Sequence, residues 1–93
     1  MAERQRLDKW LWFARVVKTR SLAAKLVTDG HVRLNGRRIE APAHSVSSGD
    51  ILTIALERQV RVLRVVSHGL RREAYPLAKL LFEELTPSNP PLE

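Results

Sequence analysis

The side chains best equipped for chemistry in this sequence are ten cations within its first forty residues. They are Arg4, Arg6, Lys9, Arg15, Lys18, Arg20, Lys25, Arg33, Arg37 and Arg38. Only four carboxylates accompany them, so residues 1–40 carry the whole formal charge of +6, while residues 41–93 balance six cations with six anions. A one-signed excess confined to one half is the usual footprint of a surface that meets phosphates. Arginine predominates over lysine, and its planar fork suits bidentate contact with phosphate oxygens. The implied chemistry is electrostatic recognition without bond making, weakened by salt through counterion release.

Other reactive residue types form no constellation. His31, His44 and His68 are scattered among polar neighbours without metal spacing. No nucleophile elbow, paired-carboxylate site or glycine-rich phosphate loop is present, because the four glycines are isolated turn residues. The pattern argues against an enzyme and requires no metal or cofactor. Trp10 falls on an apolar stripe and reads as core. Trp12 points elsewhere, either packing against the sheet or a loop, or stacking on a base.

The elements that must carry the cations follow from periodicity. Met1 to Gln5 reads as polar and frayed. Leu7, Trp10, Leu11, Ala14 and Val17 keep helical spacing, with Asp8 near the helix start, where a carboxylate serves free amides or the dipole. Lys18-Thr19 opens a break, and Thr19 or Ser21 caps a second helix with the stripe Leu22, Ala23, Leu26 and Val27. Gly30 is a natural left-handed stop. His31 to Leu34 alternates as a strand, Asn35-Gly36 is a type I′ turn, and Arg37-Arg38-Ile39 returns. Residues 41–48 read as loop, and Gly49-Asp50 turns into a strand over Ile51 to Leu56. A second strand runs from Val60 to Val66. Pro76 opens a third helix with the stripe Leu77, Leu80, Leu81 and Leu85.

The fold class expected is α+β: a small, mostly antiparallel sheet packed with two N-terminal helices and a short C-terminal helix. Residues 1–85 read as one domain and 86–93 as a disordered proline-rich tail. The absence of cysteine fits a reducing cytosol, and the N-terminus is no secretory signal, so the expected location is cytoplasmic.

Arg6-Leu7-Asp8, Thr19-Arg20-Ser21 and the run Gly30-His31-Val32-Arg33-Leu34-Asn35-Gly36 resemble the RNA-binding domain named after small-subunit ribosomal protein S-four, the alpha-L motif. Leu34 stands where valine is commoner, and Gly49-Asp50 matches the family's next turn. Within the family, KWLWFAR followed by Lys18-Thr19-Arg20, and later Arg71-Arg72 through LLFEEL, look similar to the heat-shock protein 15 branch. The likeness covers residues 6–85, and that branch carries a longer basic C-terminal extension than the proline-rich stretch here.

The resemblance implies binding of structured RNA, specifically ribosomal RNA of a free large ribosomal subunit retaining peptidyl-tRNA, in a ribosome-rescue or recycling role. By matched position it implies contacts from Arg6, Lys9, Arg15, Lys18, Thr19, Arg20, Ser21, Lys25, Arg33, Asn35 and Arg37, to which the charge pattern adds Arg38. Thr19 and Ser21 hydroxyls would meet phosphate or 2′-hydroxyl groups. Two other classes compete: a DNA-binding helix-turn-helix module over Leu7 to Gly30, and an RNA-targeting subunit for a separate modifying enzyme.

Overall fold

The computed structural model describes residues 5–69 and 74–86. Strand β1 (Gln5–Arg6) leads directly into helix α1 (Leu7–Phe13), and helix α2 (Arg20–Thr28) follows. Then come β2 (Val32–Leu34), β3 (Arg37–Ile39), β4 (Ser45–Val46), β5 (Ile51–Ala55) and β6 (Val60–Val65). Helix α3 (Tyr75–Ala78) runs into a 3₁₀ turn at Lys79–Leu81, and β7 (Phe82–Glu84) closes the order. The main sheet is antiparallel in the order β3-β2-β5-β6-β7, and β1 pairs with β4 in a separate antiparallel ribbon.

One face of the sheet is covered by α1 and α2. Leu7, Trp10, Leu11 and Ala14 from α1 and its end, with Ala23 and Val27 from α2, pack on Val32, Ile39, Leu52, Ile54, Leu63 and Val65. The period of about 3.6 on the helices and 2 on the strands puts these side chains on one layer. Trp10 is fully buried, its indole N–H donates to the Ser67 carbonyl at 2.9 Å, and Phe82 meets its ring edge-on.

Both long helices end in the same hydrogen-bond pattern. After α2, Gly30 N–H donates to Val27 and His31 N–H to Leu26, with Gly30 at φ 83°. After α1, Arg15 N–H donates to Trp12 and Val16 N–H to Leu11, with Arg15 at φ 60°. These are Schellman ends, whose left-handed residue is usually glycine. The α1 stop therefore falls before Val16 and Val17, and the helix is shorter than its apolar spacing suggested. The two valines are part-buried against the core.

Three other expectations are corrected. Gln5 is not frayed: it pairs with Val46, and its side-chain amide both donates to and accepts from the Gly69 backbone. The 41–48 loop contains β4, and its Pro42 and His44 carbonyls accept from the first amides of α1, at Asp8 and Leu7. The third helix stops after one turn and a 3₁₀ turn. Phe82–Glu84 form a strand on β6 instead, since Phe82 buries its ring, while Glu83 and Glu84 reach Arg64 and Arg61. Leu77 and Leu80 are exposed, so that leucine spacing is not a buried stripe. Thr86 is tied to Val62, and the prolines after it, with Arg71 and Arg72, lie outside the described residues.

Candidate RNA interface

The start of α2 is built by Thr19. Its backbone is extended and its hydroxyl oxygen accepts the Leu22 amide at 3.0 Å, which settles the cap on Thr19 rather than Ser21. Lys18, Thr19 and Ser21 are all exposed there, at the positive end of the helix.

Asp8 links this end to β1. Arg6 donates from Nε and Nη2 to the two Asp8 oxygens at 3.1 and 3.0 Å, and Arg20 Nε lies 3.6 Å from Oδ2. The Asp8 side chain is 4% exposed, whereas those of Arg6 and Arg20 are 50% and 42% exposed. Asp8 is therefore not the helix-amide acceptor its position suggested, because loop carbonyls serve those amides. The Asp8 hydrogen bond, and secondly its charge, raise the Arg6 pKa above the usual arginine value.

Lys9 lies over the Phe13 ring at 5.6 Å from its centroid, and Trp12 stacks at a tilt on the same ring. Trp12 is half-buried. Arg15 is exposed at the left-handed end of α1, and Lys25 pairs with Asp29 one turn along α2.

The hairpin divides its cations. Asn35 and Gly36 have φ of 52° and 85°, as a type I′ turn requires. Alternation puts Arg37, opposite Leu34, on the helix-covered side of the sheet, while Arg33 and Arg38 oppose each other on the other side. The expected site residues therefore form two groups. Period-2 counting inward from buried Ile39 is the signal that separates them. Arg38 also lies across Gly30, where a Cβ would meet its guanidinium, and reaches Glu40 at 3.5 Å. Asn35 is held from both ends of its amide: Oδ1 accepts from Ile51 N–H at 2.9 Å, and Nδ2 donates to Asp50 at 3.2 Å. Beside it, an open hollow of about 280 Å³ is lined by Leu34, Asn35, Arg37, Ile39 and His44.

Among the described residues no group of three or more His, Cys, Asp or Glu could hold a metal ion, and no helix is long and apolar enough to cross a membrane. The surface offers guanidinium, ammonium and hydroxyl donors over a polar helix start, an arrangement suited to phosphate and sugar oxygens.

The S4 domain family matches residues 5–52. A heat shock protein 15 homologue of Aeromonas salmonicida is 43% identical over 79 residues, which is 85% of this chain and 59% of that protein. Heat shock protein 15 of Escherichia coli is 39% identical over 83 residues, covering 89% of this chain and 62% of that protein. Small ribosomal subunit protein uS4 of Geobacillus kaustophilus is 34% identical over 70 residues, or 75% of this chain and 34% of that protein. A solved structure of heat shock protein 15 from Vibrio cholerae, described as trimeric, superposes with a TM-score of 0.82 and 39% identity, over 88% of this chain and 82% of that one. This chain spans about three fifths of the length of the heat shock protein 15 relatives it matches.

Proposed function

This chain belongs to the S4-domain family and, within it, to the heat shock protein 15 group, and from that premise we propose that it is a non-catalytic binder of structured RNA. The observation that carries the reading is the surface at the start of α2, where Arg6 and Arg20, each about half exposed, flank the buried Asp8 carboxylate and Lys18 is exposed just before the helix. Such a surface meets phosphates by charge and fixed donors, and structured RNA presents these at a defined spacing. The RNA is ribosomal, of the large subunit. The role is association with a free large subunit that retains peptidyl-tRNA, in the cytoplasm. Family membership supports the ribosomal target.

The test is a titration of the chain against a structured ribosomal RNA fragment and a DNA duplex of equal length, across a range of salt. Engagement of about five phosphates gives log K against log salt a slope of roughly −3.5 to −4.5. A flat response, or preference for the duplex, overturns the RNA reading. Crosslinking in cells, followed by sequencing of the bound RNA, tests the large-subunit assignment separately.

A further inference from the structure

We infer that Asp8 is a positioning residue for RNA binding: its buried carboxylate holds Arg6 and Arg20 as a two-arginine clamp for backbone phosphate. The inference rests on the RNA-binding reading above and deepens it.

The geometry has three parts. Arg6 comes from the end of β1 and Arg20 from the first position of α2, so no single element aligns them. Asp8 does so from between them, with Oδ2 taking the Arg6 hydrogen bond at 3.0 Å and facing Arg20 Nε at 3.6 Å. The carboxylate is almost wholly inaccessible, while about half of each arginine side chain reaches solvent. A guanidinium has five N–H donors. Arg6 turns two of them, on Nε and Nη2, toward Asp8, leaving the others to meet a ligand.

Stability alone is a poor reason for this arrangement. Burying a carboxylate costs desolvation, and buried ion pairs are often no better than apolar residues of the same volume. Helix capping is no reason either, since the first α1 amides donate to His44 and Pro42 carbonyls. What the carboxylate does provide is order. It offsets repulsion between two adjacent cations and fixes flexible side chains before the ligand arrives, which lowers the entropy lost on binding. Among the described residues the local balance is two cations to one anion, which leaves the site net positive.

Charge counting and positioning predict opposite signs for one substitution. Asp8→Asn removes a negative charge at nearly constant shape, so a surface that binds by net charge alone would hold RNA more tightly. If Asp8 positions the clamp, the variant binds structured RNA about tenfold more weakly. Heparin, a polyanion without RNA shape, serves as the internal reference. Its affinity should stay level or rise in the same variant. Arg6→Lys and Arg20→Lys keep the net charge of +6 but lose the fork, and each should weaken structured-RNA binding while heparin binding holds. The double variant Asp8→Asn, Arg6→Lys should lose no more than the larger single loss, because both break one unit.

Circular dichroism and urea melts establish which variants are folded. A folded Asp8→Asn that binds structured RNA as tightly as the parent, or more so, overturns the inference while leaving the RNA reading intact. If Asp8→Asn does not fold, the two lysine variants decide: selective loss of structured-RNA binding supports the clamp, and unchanged binding overturns it. A parent chain with no preference for structured RNA over heparin removes the RNA reading itself, and the inference with it.

Discussion

Two pairs of arginines in this molecule meet carboxylates in different proportions. On β6, Arg61 and Arg64 face Glu84 and Glu83 of β7, one carboxylate for each guanidinium. At the start of α2, Arg6 and Arg20 share the one carboxylate of Asp8 among the described residues. The first arrangement is neutral and lies along a sheet edge. Such pairs are worth about 0–1 kcal/mol each, so their part is to help seat β7. The second leaves an excess charge with fixed geometry. On the proposed reading, the number of arginines does not mark a binding surface. The ratio of cations to carboxylates within reach does, together with which partner is buried.

The most direct way to break this contrast is to remove each pair. Arg6→Ala with Arg20→Ala should lower affinity for structured ribosomal RNA by roughly 10- to 100-fold at moderate salt and flatten the salt slope by about 2. Arg61→Ala with Arg64→Ala should change affinity by less than about threefold and leave the slope in place. Fluorescence anisotropy over a salt series reads both quantities. Equal losses would show that the pairing ratio has no bearing on function.

Stability sharpens the contrast from the other side. Gly36 sits at φ 85° with open space where a Cβ would stand, so only the backbone opposes a larger residue there. Gly36→Val should therefore cost about 1–3 kcal/mol in a urea melt. A smaller effect has the opposite sign. Arg15 occupies the left-handed position that Gly30 occupies at the end of α2, within the same hydrogen-bond pattern. An arginine there carries a steric cost that glycine does not. Arg15→Gly should stabilise the fold by about 0.5–1 kcal/mol and weaken RNA binding severalfold. Gain in both stability and affinity would mean that Arg15 is not retained for binding.

The parts of the fold that were legible are those with local signals. Helical spacing from Leu7 to Ala14 and from Leu22 to Val27, the Thr19 cap, the Gly30 stop and the Asn35-Gly36 turn each lie within a few residues of one another. The parts that were not legible depend on distant partners. Two-residue β1 pairs with β4 forty residues later, and no local pattern announces it. Leu77, Leu80, Leu81 and Leu85 suggested a helix, but Glu83 and Glu84 find Arg64 and Arg61 across the sheet, and Phe82 finds Trp10. At the site, the one-sided charge was plain from residues 1–40. The role of Asp8 was not, because the first α1 amides donate to carbonyls of a loop whose position only the folded chain reveals.

The smallest expected effect tests whether the β6–β7 pairs serve stability alone. Glu84 has its pKa lowered chiefly by its hydrogen bond from Arg61, against an opposing effect of burial and with help from Thr86. A carboxylate depressed in the folded state contributes stability above its unfolded value of about 4.3, and that contribution is lost as pH falls through the folded value. The Glu84 part of acid destabilisation should therefore appear below about pH 4.3 and be absent at neutral pH. Glu84 is partly exposed, so solvent screening keeps its share to no more than about 0.5 kcal/mol. Glu84→Gln should be slightly less stable than the parent at pH 7, and the gap should narrow as both are taken below about pH 4.3. Affinity for RNA at pH 7 should not fall, because the substitution touches no cation at the start of α2. Urea melts at several pH values, with one RNA titration at neutral pH, give both readings. A stability gap that persists unchanged at pH 3 would show that the ion pair is not its source. A marked loss of RNA affinity would show that the sheet edge and the α2 surface are not separate in function.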